Sequence, residues 1–486
     1  MVVRAPFLAL AHGSVSALSQ SLLLEDLWEL FQQDLLKSPW GLMLLIQGGT
    51  EIELLAEIEL RFADLPPSQR KAFFAHLHVF PLSSLLYNEL TNLNDAIAEL
   101  NLRLNCEGNY LFYPSQDLST YLRIIHTLGL SRPPEVKGFR RILIELPMQQ
   151  EVGLLRSANR ELQELFREEQ IYRRVPGLSQ PLLNQLLGLR FANGIFEPLW
   201  NHHHIQYVEI TLGQRHLQTP LQSQLPASFA PQMAPALLQI LALLAMEPPV
   251  LSSENALRNE MLKVFLSLRE LDPGELSEIA LRGVLPTNSL SGNLSESLLQ
   301  SLKETYLAQR VYIDNGRWSG TPFYLRAGLG LPLDCLELVL HFHPVSTRLF
   351  PEDSAEPTHN SLWIRLMPEF ALSLGLNRHA GGHVQRLSPL ALNWQGQPTQ
   401  STLQAGSQAL LLDCLAGNPA LFLRDDCVET LEKYLEPLKK SWQRPGNAPY
   451  FYLPGFWGPA EAESLFEDLH CRWWTPGQAS PEADEF

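Results

Sequence analysis

The chain has 486 residues, a length that favours two folded domains over a single hydrophobic core. Its hydrophobic fraction of 45% is that of an ordinary globular protein, and its formal net charge is -16. A chain this acidic repels the phosphate backbone of DNA and RNA, and no apolar run approaches the ~18 residues of a membrane span, so neither nucleic acid nor a membrane is an expected partner.

The first third alternates short apolar runs with helical patterns. Strands are predicted at Phe7–Ala11, Gly41–Ile46, His76–Phe80, Tyr110–Tyr113 and Arg141–Glu145, with helices at Leu22–Leu36, Asp95–Leu102, Asp117–Leu128 and Glu151–Gln170. Near-continuous apolar strands separated by helices are typical of a parallel sheet that is covered on both faces. Residues 1–172 are therefore predicted to form a Rossmann-like, doubly wound α/β domain.

The pattern changes after about residue 173. Helices are predicted at Leu182–Phe196 and Ala234–Met246, strands at Ile205–Thr211, Cys335–Phe342 and Ser361–Met367, and a polar loop at Gln214–Gln232. Runs of strands after runs of helices favour an α+β domain. Residues 173–486 are therefore predicted to form a second domain with a large, mostly antiparallel sheet.

Several strings resemble the glucose-6-phosphate dehydrogenase family and occur in the family's order. They are Glu168–Arg173, Leu189–Asn201, Leu237–Pro249, Tyr312–Arg326, Leu410–Gly417, Phe422–Asp426 and Trp457–Ala462. In the first third of the chain, only the alternation of strands and helices and the string Arg141–Pro147 resemble the family. The resemblance implies a cofactor domain followed by a substrate domain, and a reaction in which glucose 6-phosphate passes a hydride to NADP.

The resemblance places the family's cofactor turn between the first strand and the first helix. The family has Gly-x-x-Gly-Asp-Leu there, whereas Ala11–Leu18 of this chain offers Gly13 and no aspartate. Glycines let the backbone approach a diphosphate at the helix N-terminus. Ser14 and Ser16 are able to bond a phosphate, but helix capping is the stronger interpretation. No cofactor is therefore expected, and NADP is the expected one if any binds.

The substrate positions that the resemblance assigns carry no cation here. The family's Glu-Lys-Pro lysine corresponds to Leu146, and its Asp-His-Tyr string and the lysine that follows correspond to Val175, Pro176, Gly177 and Gln180. A second phosphate-side lysine corresponds to Leu329 and a sugar-binding amide to Met367. Charge-assisted bonds to phosphate are the strong ones, and these side chains cannot make them. Arg174 is a new cation nearby, interpreted as a solvated loop residue.

The general base is missing in the same way. The resemblance places the family's catalytic histidine at Ala236 and the aspartate that orients it at Pro231. Losing a base alone costs ~10²–10⁴ in rate. Here the base, its partner, the phosphate cations and the cofactor turn are absent together, so a non-catalytic family member is expected. Its role would be accessory, regulatory or sensing in sugar-phosphate metabolism, as a homo-oligomer or in complex with an active relative.

Two alternatives stay open. The first is an active NADP-dependent glucose-6-phosphate 1-dehydrogenase of the oxidative pentose phosphate pathway with a relocated site. The second is a small-molecule binder whose pocket has become apolar around Leu146, Val175, Leu329 and Met367.

No metal site is expected. Consecutive histidines in a strand point to opposite faces, so His202–His204 is interpreted as a solvated turn. The five cysteines, Cys106, Cys335, Cys414, Cys427 and Cys471, form no metal-binding spacing. They predict reduced thiols in a cytoplasmic protein.

Overall fold

The structure is a computed structural model. It describes residues 3, 5–82, 87–115, 117–130, 138–145, 152–175, 178, 180–215, 229–251, 253–285, 304–345, 359–379, 387–396, 408–444, 447–468 and 471–477. The chain divides into two compact units. The first comprises Met1–Gln180, Ser253–Arg258 and Ala405–Asp425, and the second comprises Pro181–Ser252, Asn259–Gln404 and Asp426–Phe486.

Helices occur along the whole chain. The described ones are α1 (Val15–Ser19), α2 (Leu22–Gln32), α3 (Glu51–Arg61), α4 (Pro67–Phe74), α5 (Tyr87–Leu104), α6 (Leu118–Thr127), α7 (Val152–Leu165), α8 (Gln180–Phe191), α9 (Phe229–Ala245), α10 (Glu254–Leu266), α11 (Leu276–Ile279), α12 (Gln408–Ala416) and α13 (Asp425–Trp442). Within the described residues, the helices are all too short or too polar to span a bilayer.

The first unit contains a six-stranded, entirely parallel sheet. Its strands are β1 (Phe7–Gly13), β2 (Trp40–Gln47), β3 (Leu77–Leu82), β4 (Tyr110–Pro114), β5 (Arg140–Glu145) and β6 (Ile171–Arg174). Their order is β3-β2-β1-β4-β5-β6, so the order reverses between β1 and β4. This is the doubly wound arrangement that the sequence predicts, and that prediction is confirmed.

Helices cover both faces of this sheet because both faces are apolar. Phe7, Ala9 and Ala11 pack into one core cluster, and Leu8 and Leu10 pack into the other. Side chains alternate along a strand, so a continuously apolar strand must be buried on both sides. Local signals then start the helices: the Thr50 hydroxyl and the Glu53 carboxylate form a capping box at α3, and Asp117 caps α6.

The second unit contains a nine-stranded, mostly antiparallel sheet. Its strands are β7 (Ile205–Gln214), β8 (Ala280–Val284), β9 (Tyr306–Tyr312), β10 (Pro322–Leu329), β11 (Cys335–Phe342), β12 (Ser361–Met367), β13 (Ala371–His379), β14 (Leu387–Gln395) and β15 (Tyr450–Phe451). Their order is β14-β13-β12-β11-β7-β10-β9-β8-β15, and only the β7–β10 and β8–β15 pairs are parallel. The predicted α+β domain with a large antiparallel sheet is confirmed.

The two faces of this sheet differ in polarity. In β7, Glu209 and Thr211 point to one face, where the backbone N–H of Trp474 donates to Glu209 Oε2 at 2.7 Å. The other face carries Val208 and Ile210, both fully buried. The apolar helix α9 packs against β7, β9 and β10. An apolar helix and an apolar sheet face together remove hydrocarbon from water, which is the main favourable term in folding.

Some boundaries differ from the sequence prediction. The first unit extends to Gln180 and includes residues 253–258 and 405–425, whereas the prediction ends the first domain at 172. Helix α8 ends at Phe191 instead of Phe196. Residues 229–232 of the predicted loop belong to α9, and residues 216–228 lie outside the described part of the chain.

Candidate functional site

Helix α9 carries Ala236, the position assigned to the general base. Ala236 is fully buried, within a run from residue 233 to residue 246 in which every side chain is buried. The whole helix contains no acidic, basic or histidine residue. A general base needs an ionisable side chain within hydrogen-bond reach of the proton it removes. Helix α9 therefore provides none, and Pro231, whose side chain lies outside the described residues, has no ionisable group.

The carboxyl end of α9 is held by side chains from the strings that resemble the family. The last four carbonyls of an α-helix have no partner within the helix. Here the last three carbonyls of α9 and that of Met246, the residue after it, accept side-chain hydrogen bonds: two from Arg190 Nη1 (3.1 and 2.8 Å) and one each from Nε1 of Trp200 (2.9 Å) and Trp318 (2.8 Å). All three donors are buried. These strings therefore fix the position of α9.

Arg190 has a structural role despite its charge. Its guanidinium lies over the rings of Phe191 (4.5 Å) and Trp200 (5.5 Å) and 3.6 Å from a carboxylate oxygen of Glu197. Burial lowers the pKa of Arg190 to about 9, against the opposing effect of Glu197. The side chain is still charged at neutral pH, and its charge is directed at the end of a helix, where cations are favourable.

Two further assigned positions lie on the sheet of the second unit. Leu329 ends β10 and is buried; its N–H donates to the carbonyl of Thr305 (2.9 Å), and its carbonyl accepts from the Tyr452 hydroxyl (2.8 Å). Met367 is half-buried at the end of β12, opposite Leu336. Neither side chain has a strong polar group, so neither position provides a charge-assisted bond to a sugar phosphate.

A serine in the turn after β1 caps the helix that follows. Ser14 is the N-cap of α1, and its hydroxyl accepts from the N–H of Ala17 at 3.3 Å. A Cβ on Gly13 would lie 3.1 Å from Ser115 Cβ and 3.3 Å from Ala17 Cβ, so the glycine permits close packing of the turn on β4. Helix α1 has five residues, with Ser16 exposed on its first turn. The short helix provides little of the dipole that favours phosphate at a helix N-terminus.

A crevice of about 300 Å³ lies beside this turn, at the carboxyl edge of the six-stranded sheet. It is adjacent to β1 and β4, where the strand order reverses and where ligands bind in doubly wound folds. Its lining residues are Ser16, Ala17, Gln20, Ser21, Leu22, Tyr113, Ser115 and Glu145. They include one carboxylate and no cation.

The interpretation of Arg174 as a solvated loop residue is wrong. Arg174 ends β6 and is buried; its Nη1 donates to Asp26 Oδ2 at 2.6 Å and its Nη2 to Glu145 Oε1 at 3.0 Å. The Tyr113 hydroxyl donates to the same Glu145 oxygen at 2.5 Å. Burial by itself would lower the pKa of Arg174, but Asp26 and Glu145 outweigh it and raise the pKa. Two carboxylates therefore surround one guanidinium at the crevice, and its charge is not available to a ligand.

Of the other assigned positions in the first unit, Val175 is the one whose side chain lies within the described residues. Val175 is buried directly after β6. Gln180 begins α8, but its side chain lies outside the described residues, as do Leu146, Pro176 and Gly177.

The histidine string forms a hydrogen-bonded turn. His202 Nδ1 lies 3.1 Å from the carbonyl of Arg317, and His204 Nδ1 lies 3.1 Å from Asn201 Oδ1. Across the described ranges, no three His, Cys, Asp or Glu side chains converge as metal ligands.

His12 is a titratable residue that the sequence analysis did not single out. It is fully buried, its ring stacks on Tyr121 (centroids 5.6 Å apart), and neither ring nitrogen has a hydrogen-bond partner among the described residues. Burial lowers the pKa of His12, against a smaller opposing effect of Asp117. The sequence signal was available: His12 occupies an inward position of β1 directly before Gly13.

Comparison with known proteins places the chain in a family. The model of the glucose-6-phosphate dehydrogenase NAD binding domain matches residues 11–174, and the model of the C-terminal domain of the same enzyme matches residues 187–474. The chain belongs to the glucose-6-phosphate dehydrogenase family. It is 31% identical to the glucose-6-phosphate 1-dehydrogenase of Treponema pallidum, over 97% of this chain and 96% of the relative.

Other glucose-6-phosphate dehydrogenase relatives differ in what their names say. An Arabidopsis thaliana protein named inactive glucose-6-phosphate 1-dehydrogenase 4, chloroplastic, is 30% identical over 76% of this chain and 58% of its own. The solved glucose-6-phosphate 1-dehydrogenase of Mycobacterium avium superposes with a TM-score of 0.75 at 22% identity, covering 97% of this chain and 100% of that one. A glucose-6-phosphate dehydrogenase in complex with glucose-6-phosphate superposes with a TM-score of 0.77 at 20% identity, covering 98% and 100%. The two structures share the fold.

The residues at the crevice do not fit the diphosphate of a dinucleotide. A glucose-6-phosphate dehydrogenase would bind that group at the turn after β1, with backbone N–H groups and positive charge. Here Ser14 caps the turn, Glu145 places a carboxylate in the wall, and Arg174 is paired with Asp26. A dianionic group placed there would face net negative charge.

Proposed function

We propose that this protein is a non-catalytic member of the glucose-6-phosphate dehydrogenase family with an accessory, regulatory or sensing role in sugar-phosphate metabolism. The observation that carries the proposal is helix α9, which is held in place at its carboxyl end but has no ionisable side chain. Ala236, at the position of the base, is a buried methyl group. A methyl group cannot accept the proton that hydride removal from a sugar hydroxyl requires.

The chemistry of the crevice supports the same proposal. Neither Ser16 nor Gln20 provides a positive charge for a diphosphate, and Glu145 repels one. The Arabidopsis relative whose name includes the word inactive also supports it, because a family member of similar identity has been given that description.

One alternative has an observation in its favour. The Treponema pallidum relative, named as the dehydrogenase, matches nearly the whole chain at 31% identity. Under this alternative the chain is an active NADP-dependent glucose-6-phosphate dehydrogenase whose base comes from outside α9. It would bind both glucose 6-phosphate and NADP, which the non-catalytic proposal does not require.

Calorimetric titration separates the two. We expect no saturable heat with glucose 6-phosphate or NADP at concentrations up to about 1 mM, because a Kd of that size already requires about 4 kcal/mol of binding free energy from a wall without cations. The Treponema pallidum enzyme is the matched positive control. Micromolar binding of both ligands to this protein would favour the active alternative.

We also propose that the protein associates through β13 and β14, with a second copy of itself or with an active relative. On one face, the side chains of Leu390, Leu392 and Trp394 in β14 are exposed by 38%, 54% and 55%. They pair in register with the half-buried Leu376, Leu374 and Leu372 of β13. A contiguous apolar face of this kind marks an interaction site on a soluble protein.

We also propose a cytoplasmic location for the protein. All five cysteines are free thiols, which supports a reducing environment.

Light scattering of the purified protein tests the association. We expect a dimer or larger species at micromolar concentration, and a monomer after Leu392→Glu, which places a charge in the middle of the face. Leu102→Glu is the control, because Leu102 is 79% exposed on α5 and should leave the mass unchanged. A wild-type monomer that also fails to co-purify with an active dehydrogenase from the same cell would refute the accessory role and leave ligand sensing.

A further inference from the structure

The crevice of the first unit has a definite chemistry of its own. Five of its eight lining residues, Ser16, Gln20, Ser21, Tyr113 and Ser115, carry neutral polar groups, and Glu145 carries the one charge. Neutral hydroxyl and amide groups bond equally well to donors and acceptors. The charge of Glu145 favours hydrogen-bond donors over anionic ligands, because a carboxylate only accepts hydrogen bonds and repels anions.

Glu145 is fixed in position with one oxygen unused. Its Oε1 accepts from Arg174 Nη2 at 3.0 Å and from the Tyr113 hydroxyl at 2.5 Å. Its Oε2 makes no hydrogen bond with any described residue, and the side chain is 39% exposed. Two bonds to one oxygen restrict the rotation of the carboxylate, so the second oxygen is presented to a ligand at a reduced entropic cost.

A second unsatisfied group lies in the same wall. The hydroxyl oxygen of Ser115 is buried and has no hydrogen-bond partner among the described residues. Ser115 lies directly after β4, and its N–H donates to the carbonyl of His12 at 2.9 Å, which fixes its backbone. Buried polar groups are nearly always hydrogen-bonded, so an unpaired hydroxyl on a residue that lines the crevice is a candidate partner for a ligand there.

We propose that this crevice binds an unphosphorylated sugar and prefers one that carries an ammonium group. A volume of about 300 Å³ lies at the small end of ligand sites and suits one monosaccharide. Hydroxyl groups of the sugar bond to Ser16, Ser115 and Gln20, and the ammonium group donates to Glu145 Oε2. The phosphate of a sugar phosphate or of NADP is excluded because the carboxylates of Glu145 and Asp26 outnumber the single guanidinium of Arg174.

This inference rests on the crevice of the first unit, whose chemistry also supports the proposed function, whereas the observation that carries the proposed loss of catalysis is α9 in the second unit. The two fail separately. Turnover of glucose 6-phosphate would refute the proposed function, and sugar binding is measured without any reaction.

Titration by ligand-observed NMR tests the inference on the full chain, with glucosamine, glucose, glucose 6-phosphate and NADP as probes. We expect glucosamine to bind about tenfold more tightly than glucose, because a hydrogen bond between two charged groups is stronger than one between a charged and a neutral group. Glucose 6-phosphate and NADP should bind more weakly than glucose. Absence of binding by both sugars at about 10 mM, or tighter binding of either phosphate ligand, would overturn the inference.

Two variants locate the effect. Glu145→Gln should remove the preference for glucosamine over glucose. Glu145 also contacts Arg174, so a second variant is placed outside the Glu145–Arg174 network. Gln20→Lys changes an exposed residue of the crevice to a cation. It should raise the affinity for glucose 6-phosphate relative to glucose by about tenfold. Gln69→Lys makes the same change at an exposed position of α4 that does not line the crevice, and should alter neither ratio. A Gln20→Lys protein with wild-type ratios would contradict the placement.

Discussion

Arg174 and Asp26 form a buried ion pair whose disruption should be measurable. Their side chains are 2% and 0% exposed, and their charged atoms are 2.6 Å apart. Replacing Arg174 with isoleucine leaves Asp26 buried without the guanidinium that neutralises its charge. Breaking a buried pair from one side costs about 3–5 kcal/mol. In a folding unit of about 200 residues, each kcal/mol lowers the Tm by about 2–4 °C, so the unfolding transition of the first unit should shift by roughly 6–20 °C.

Replacing both Arg174 and Asp26 tests whether the cost of the single change comes from leaving the Asp26 charge buried without the guanidinium. Arg174→Ile combined with Asp26→Leu removes both charges and fills the space with hydrocarbon, which is often neutral or stabilising for buried pairs. We expect its stability to return to within about 1 kcal/mol of the parent protein. Glu145 keeps its bond from Tyr113 and is partly exposed, so losing the guanidinium costs it little.

Scanning calorimetry measures both variants on the full chain. Lys37→Ile is the control, because Lys37 pairs with Asp34 at the surface of the same unit and such pairs contribute about 0–1 kcal/mol. An Arg174→Ile protein as stable as the Lys37→Ile protein would refute the buried pair. A double variant no better than Arg174→Ile would show that the single change acts through packing.

Two further predictions concern buried polar groups. Trp318→Phe removes the donor to the Ala245 carbonyl of α9 and should cost about 1–3 kcal/mol in urea unfolding. Phe456→Leu, at an exposed site outside the β13–β14 face, should cost almost nothing, and equal effects would refute the capping role. Because burial lowers the pKa of His12 below its unfolded value of about 6.5, the unfolded state takes up the proton first and stability should fall as pH drops below about 6.5. His12→Phe should flatten that part of the profile and His126→Phe, at an exposed site, should not; an unchanged slope in His12→Phe would contradict the burial.

The elements with regular apolar patterns could be predicted from the sequence. Cys335–Phe342 and Ser361–Met367 are strands with the predicted bounds, because their inward side chains are apolar. Strand β14, Leu387–Gln395, was missed since it contains Pro389 and leaves three large apolar residues exposed. An edge strand tolerates both features, and neither resembles a buried strand in the sequence.

The ion pairs of Arg174 could not be predicted from the sequence, for a different reason. A lone arginine after a short strand is usually solvated, and the partner that buries Arg174 is Asp26, 148 positions earlier in the chain. Side-chain pairing over such a separation depends on the order of strands in the sheet. The role of Trp200 and Trp318 at the end of α9 also required the tertiary structure, although the strings that contain them were recognised.

Steady-state oxidation of glucose 6-phosphate shows directly whether the protein lacks dehydrogenase activity. The purified full chain is assayed with NADP and with NAD by the absorbance of the reduced nicotinamide, beside the Treponema pallidum enzyme at equal concentration. Because the resemblance assigns the base to Ala236 and α9 carries no ionisable side chain, we expect no rate above the blank with either cofactor. A rate that follows this protein through two chromatography columns, at constant activity per milligram, would contradict it.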